Sequence, residues 1–253
     1  MNLTQFKRFE HITNDDFALM KKLQYQCLLE VRDKFNSFGI DWWIDFGTLL
    51  GCYRDGKILD GDSDCDIGFW AQDLNLDILE ELKDNLYPTY PKKIFWGYNN
   101  WKNALSNDAF YPAKSMRYIL KDENNKPIKV KGQWIFTDLF CWYPCDRDGF
   151  SVMPFHTEHT RFMRTSNDVW VNGYGSIKFR GEEEDFPCYT EVTRSFEEKY
   201  GPTWETPNSK FHHANKKSQF YAHISREILE EYKFNHMTKE CQYELNTQPT
   251  KLF

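Results

Sequence analysis

Aspartates at every second position, in the run Asp62-Ser63-Asp64-Cys65-Asp66, lead directly into the apolar stretch Ile67-Gly68-Phe69-Trp70. Alternate side chains of an extended strand leave the same face, so a strand here presents Asp64 and Asp66 side by side. Two neighbouring unprotonated carboxylates repel, and a divalent cation with oxygen ligands is the usual remedy. Upstream, the apolar segment Trp42-Trp43-Ile44-Asp45-Phe46 enters Gly47-Thr48, and a basic, glycine-containing loop with Arg54 and Lys57 joins the two segments. Strand, Gly-Thr turn, short helix, loop and acidic strand predict a Mg2+ or Mn2+ site that handles a phosphate-containing group. The bland alternatives are a solvated strand end or a calcium loop for Asp64 and Asp66, and an ordinary strand-to-helix turn for Gly47 and Thr48.

The rest of the chain narrows the class. Its 253 residues are enough for one large domain or two small ones, and 17% are aromatic, which argues for a packed fold with ring-lined grooves. A net charge of −6 without an extended basic stripe gives no reason to expect nucleic acid as a partner. No apolar run approaches the roughly 20 residues of a membrane helix, and Met1-Asn2-Leu3-Thr4-Gln5-Phe6-Lys7 lacks a signal-peptide core. The odd count of seven cysteines fits reduced thiols. A cytoplasmic location is therefore expected, with peripheral membrane attachment or a removed anchor as the alternative.

Periodicity predicts a first helix capped by Thr13 or Asn14, carrying Phe17, Met20, Leu23, Cys27, Val31 and Phe35 and ended by Gly39. Strands are expected over Asp41 to Phe46 and Asp64 to Trp70, and an amphipathic helix over Leu74 to Leu86. A hairpin is expected to pair Ser115–Leu120 with Pro127–Lys131, and Gln133 to Tyr143 reads as an apolar strand with one charge, Asp138. Thr190 to Tyr200 and Lys216 to Phe234 read as helices. The simplest division is a catalytic core over residues 1–150 and a portion over 151–253 packed on it. Cys141 and Cys145 with His156 and His159 admit a zinc reading, against buried thiols and surface histidines.

Gly47-Thr48-Leu49-Leu50-Gly51 followed by Tyr53-Arg54, then Asp62-x-Asp64-x-Asp66-Ile67, resembles the LicD family of phosphotransferases, to which fukutin and fukutin-related protein belong, within the nucleotidyltransferase-fold superfamily. Thr137-Asp138-Leu139-Phe140 is similar to the family's later Asp-hydrophobic-Phe strand, and the segment Tyr200-Gly201-Pro202-Thr203-Trp204-Glu205-Thr206-Pro207 to its closing Tyr-Gly-x-x-Trp-x-x-Pro motif. The resemblance runs over residues 20–207. It departs at Asp60-Gly61, where bacterial members carry Pro-Trp, at Ser63 inside the acidic run, and at Asp55, where a His commonly follows the Arg.

The resemblance implies an α+β fold: a nucleotidyltransferase-like mixed β-sheet core flanked by helices, with an aromatic-rich helical C-terminal portion. It implies Asp64, Asp66 and Asp138 as the catalytic carboxylates and metal ligands, Asp62 as an outer or water-held ligand, and Gly47, Thr48, Arg54 and Lys57 as the nucleotide and phosphate contacts. It further implies Mg2+ or Mn2+, a CDP-linked donor such as CDP-choline or CDP-ribitol, and a glycan hydroxyl as acceptor. For Asp138 a structural salt bridge, for Lys57 a solvated loop charge, and for Asp62 a plain loop residue are the competing readings. A nucleotidyltransferase using NTP, or a non-catalytic glycan- or partner-binding protein, are the alternative functions.

Overall fold

A computed structural model describes residues 12–70, 73, 76–87, 115–145, 150–154, 161–170, 173–207 and 221–223. Helix α1 (Asn14–Phe38) opens with a reciprocal cap: the Thr13 hydroxyl accepts the Asp16 N–H at 3.1 Å and the Asp16 carboxylate accepts the Thr13 N–H at 3.2 Å. It closes at Gly39, whose φ of +68° a residue with a Cβ would adopt at a cost. Its apolar stripe, Phe17, Met20, Cys27, Leu28, Val31 and Phe35, is buried.

The remaining elements are β1 (Trp42–Ile44), α2 (Phe46–Leu50) running into a π-turn (Gly51–Asp55), β2 (Cys65–Trp70), α3 (Leu76–Leu82), β3 (Leu86–Tyr87), β4 (Ser115–Ile119), β5 (Lys129–Val130), β6 (Gln133–Trp134), β7 (Phe136–Cys145), β8 (Phe150–Pro154), β9 (Arg161–Ser166), β10 (Tyr174–Lys178), β11 (Asp185–Tyr189), α4 (Val192–Tyr200) and β12 (Tyr221–His223). β5–β6 and β10–β11 are separate two-stranded sheets, and the other eight strands form one mixed sheet. Its axis is β7, whose first half lies between parallel β2 and antiparallel β4, and whose second half pairs with β8 and so leads to β9 and β12. β1 extends the β2 side and β3 the β4 side.

Strand alternation gives the sheet two different faces. Cys65, Ile67, Phe69, Thr137, Leu139 and Cys141 are buried on the α1 side, with Phe35 edge-on to Phe69 at 5.4 Å and the Thr137 hydroxyl 3.4 Å from Cys27 Sγ. The other face carries Asp66, Gly68 and Trp70 on β2 and Asp138, Phe140 and Trp142 on β7. A Cβ at Gly68 would lie 2.5 Å from the Trp43 ring, so glycine is what lets that indole approach β2 so closely. Tyr189 of β11 and Trp170 cover the indole at ring separations of 5.9 and 5.4 Å.

Several local expectations shift. The Asp122–Asn125 turn forms, with Asp122 Oδ1 accepting the Asn124 and Lys126 N–H groups at 2.9 Å. Its arms meet around a Lys121–Pro127 bridge, through the Asp122-to-Lys126 and Ile128-to-Leu120 bonds, because Ser115–Ile119 gives its ladder to β7 and β3. The expected single strand over Gln133–Tyr143 breaks at Ile135, whose N–H and carbonyl bond Ile128 and Leu120 instead. The helix expected from Leu74 ends at Leu82, and Leu86–Tyr87 is a strand. Within the closing helix expected over Lys216–Phe234, Tyr221–His223 is a strand paired with β9; the rest of that segment lies outside the described residues. No helix among the described residues is long and apolar enough to cross a membrane.

Candidate functional site

Register brings the acids together. Asp66 on β2 and Asp138 on β7 are direct partners across a parallel ladder, so their side chains leave the same face at the same level. Asp64 lies one pleat earlier, and ligand oxygens of Asp64, Asp66 and Asp138 all fall within 4.8 Å of one another. On the far side of Asp138, Arg117 of β4 is its antiparallel partner; its Nε donates to Asp138 Oδ1 at 2.9 Å and its guanidinium lies 4.1 Å over the Phe136 ring. Three adjacent strands thus present carboxylate, carboxylate and guanidinium in one row.

The cap and first turn of α2 hold this row from beneath. The Asp66 N–H donates to Thr48 Oγ1 at 2.6 Å, and its carbonyl accepts the Asp45 N–H at 3.0 Å, so both sides of Asp66 are pinned. Gly47 sits in the first turn of α2, not in a turn preceding it. A Cβ there would lie 2.3 Å from Asp62 Oδ2 and 3.3 Å from Asp66 Oδ2, so its side-chain-free surface is the floor on which the acids rest. The Asp62 carbonyl accepts Lys21 Nζ at 2.6 Å and Gln24 Nε2 at 3.4 Å, which ties the acidic loop to α1. Burial lowers the Lys21 pKa to about 8, with the Asp62 charge acting against that shift.

Behind the row lies a buried ion pair. Asp45 caps α2 by accepting the Phe46 N–H at 2.8 Å, and its carboxylate is paired with the Lys199 ammonium of α4. Asp45 is 0% and Lys199 1% exposed. Trp142 Nε1 donates to Asp45 Oδ2 at 3.1 Å, Lys199 Nζ donates to Tyr189 OH at 2.7 Å, and that hydroxyl accepts Trp43 Nε1 at 3.0 Å. Such a charge needs this complete shell, since an unpartnered buried ion is strongly unfavourable. Phe46, held between cap and helix, has a φ of +42°, a conformation its bulk disfavours.

Burial, then the charges of Asp64, Asp62, Asp138 and Asp45, push the Asp66 carboxyl well above the usual carboxylate range. Of the basic residues expected at the site, Arg54 is engaged by its neighbour, with Nε 2.9 Å from Asp55 Oδ1 and Nη2 3.0 Å from Oδ2, and it reaches the Trp204 carbonyl at 3.4 Å. Lys57 is paired with Asp60 at 2.9 Å. Cys141 is buried on the α1 face, where burial pushes its thiol up and keeps it protonated, and the side chains of Cys145, His156 and His159 lie outside the described residues. Among the described residues, the grouping able to hold a metal is the aspartate triad.

Sequence reasoning did not single out Arg117, Lys21, Asp45 or Lys199 for the site. Asp45 and Lys199 carried a signal, since a charge amid Trp43, Ile44 and Phe46, and another beside Phe196 and Tyr200, ask for a partner. Arg117 carried none, because only strand pairing sets it opposite Asp138.

The segment that carries this geometry, residues 39–189, matches the family described as LicD/FKTN/FKRP, nucleotidyltransferase domain, over more than half of the chain. The chain belongs to the LicD/FKTN/FKRP family. An uncharacterized protein of Caenorhabditis elegans, W02B3.4, is 29% identical over 85 residues, 34% of this chain, and the matched part spans 20% of that protein's length. The triad, Gly47 and Thr48 all lie inside the LicD-family segment, whereas Lys21 and Lys199 lie outside it.

Proposed function

We propose that this LicD-family chain is a metal-dependent phosphotransferase that moves a phosphate-linked group from a CDP-activated donor to a glycan hydroxyl. The observation that carries the reading is the same-register pair Asp66 and Asp138, joined by Asp64, with ligand oxygens of all three within 4.8 Å of one another. All-oxygen carboxylate donors suit Mg2+ or Mn2+. Asp64, Asp66 and Asp138 would hold the ion, with Asp62, poised over Gly47, reaching it directly or through water. A bound cation would offset the diphosphate charge and bring donor and acceptor oxygens into line.

Every other step falls to the chain's own residues. The acceptor oxygen attacks the phosphorus of the transferred group, the bond to the CMP oxygen breaks, and a phosphodiester forms. The acceptor proton passes to a carboxylate, for which Asp138 is the candidate, its Oδ1 oriented by Arg117. Arg117 is also the candidate phosphate contact, since its only hydrogen bond among the described residues runs through Nε, its side chain is one-third exposed, and Arg54 and Lys57 are engaged elsewhere. Catalysis of this kind is positioning plus charge neutralisation. The core's mixed sheet with acids on neighbouring strands supports a nucleotidyltransferase-like arrangement.

Thermal-shift binding of CDP, CMP, UDP, GDP and ATP, with and without Mn2+, tests this on wild type and Asp64→Ala/Asp66→Ala. Mn2+-dependent stabilisation by cytidine nucleotides, lost in the double variant, is the expected outcome. A preference for ATP would move the reading to nucleotidyl transfer, and no metal-dependent shift with any nucleotide would turn it to a non-catalytic binding protein.

A further inference from the structure

We infer that the buried Asp45–Lys199 pair positions Asp66 for metal binding, so that α4, beyond the family-matched segment, sets the geometry of the acidic row. The inference rests on the metal-site reading above. A short path of contacts carries it. Lys199 Nζ is held in a box of rings, 4.2 Å from the Tyr189 centroid, 4.8 Å from Phe46 and 5.4 Å from Trp142. Its partner Asp45 accepts the Phe46 N–H with the same oxygen that takes the ammonium, and gives its own N–H to the Asp66 carbonyl at 3.0 Å. Two residues beyond Phe46, Thr48 Oγ1 accepts the Asp66 N–H at 2.6 Å.

The peptide groups on either side of the Asp66 Cα are therefore fixed by residues 45 and 48, and the segment between them is held in an unfavourable backbone conformation at Phe46. Such a conformation persists only where its surroundings over-determine it. The capping carboxylate does that here, and the ammonium keeps it aimed. Lys199 touches no triad oxygen, so its role is positioning and not chemistry.

A pair that only stabilised the fold would change melting temperature and leave the metal affinity of the folded protein alone. The test is the Mn2+ dissociation constant by titration calorimetry, with Tm on the same samples. Asp45→Asn/Lys199→Met removes both charges at once, and Tyr189→Phe keeps both while deleting the hydroxyl that bonds Lys199 and accepts Trp43. The double variant is expected to fold and to bind Mn2+ about 10–100-fold more weakly, the usual cost of losing a residue that orients a ligand. Tyr189→Phe is expected to lose less affinity, in the same direction. Wild-type affinity in the folded double variant, or in Tyr189→Phe should the double variant not fold, overturns the inference. Asp64→Ala separates the two levels of the argument. If it binds Mn2+ as well as wild type does, the metal site itself is misassigned and this inference falls with it. If it abolishes binding while the pair variants bind normally, the inference falls alone.

Discussion

Arg117 has opposite effects on the two species the site would bind. Its guanidinium lies against Asp138, so it repels a cation in the triad and attracts a phosphate beside it. Replacing it with methionine keeps the bulk over Phe136 and removes the charge. At this range the Coulomb interaction of unit charges reaches several kcal/mol at intermediate dielectric and about 1 kcal/mol in water, so Arg117→Met should tighten Mn2+ binding on the order of tenfold. It should at the same time weaken the Mn2+-dependent shift produced by cytidine diphosphate. Calorimetry for the ion and thermal shift for the nucleotide read the two effects separately, and a parallel loss of both would remove Arg117 from the phosphate site.

At the scale of elements, the molecule is two layers joined through a sheet, with α1 packed on one face and α4 and β11 on the other. The second contact differs in kind from the first, because it centres on a charge. Lys199→Met leaves Asp45 buried without its cation, which should cost about 3–5 kcal/mol in urea unfolding. Asp45→Asn/Lys199→Met should recover most of that loss, since neutral buried groups of similar size often serve a fold as well as an ion pair does. Equal destabilisation in the single and double variants would mean that packing, not charge, joins α4 to the sheet. The first contact is apolar and depends on helix periodicity, with Phe35 against Phe69 and Cys27 against Thr137.

Across the whole molecule, the acidic row shapes the response to pH. The folded Asp66 carboxyl titrates well above its value in an unfolded chain, about 3.9. A group raised in this way stabilises the fold fully below the unfolded value and loses that contribution as pH rises through the folded one. In chelator, Asp66→Asn should therefore gain Tm relative to wild type as pH rises from about 4 to 8, at roughly 2–4 °C for each kcal/mol of strain relieved. Saturating Mg2+ should close or reverse the gap, because it stabilises the ionised row that the variant lacks. A gap that is independent of both pH and metal would show that Asp66 is already compensated.

Much of this could be read from the residues alone. The Thr13 cap, the α1 stripe, the Gly39 stop and the acidic strand follow from local rules of period and backbone conformation, and four motifs in order carry the LicD resemblance. What those rules missed was non-local. Ser115–Ile119 looks like half of a hairpin by proximity, yet its ladder belongs to β7. Arg54 looks free in a basic loop, yet it is engaged by Asp55 and the Trp204 carbonyl. Residue order alone thus established an acidic pair on one strand face, the helix that backs it and the family it belongs to, because each of these is decided within a few neighbouring positions. Tertiary structure alone decided that Asp138 shares a register with Asp66, that Arg117 stands beside them, and that Lys199 neutralises Asp45 from 154 residues away. Those relations depend on which strands pair and which faces close, and no local preference encodes either.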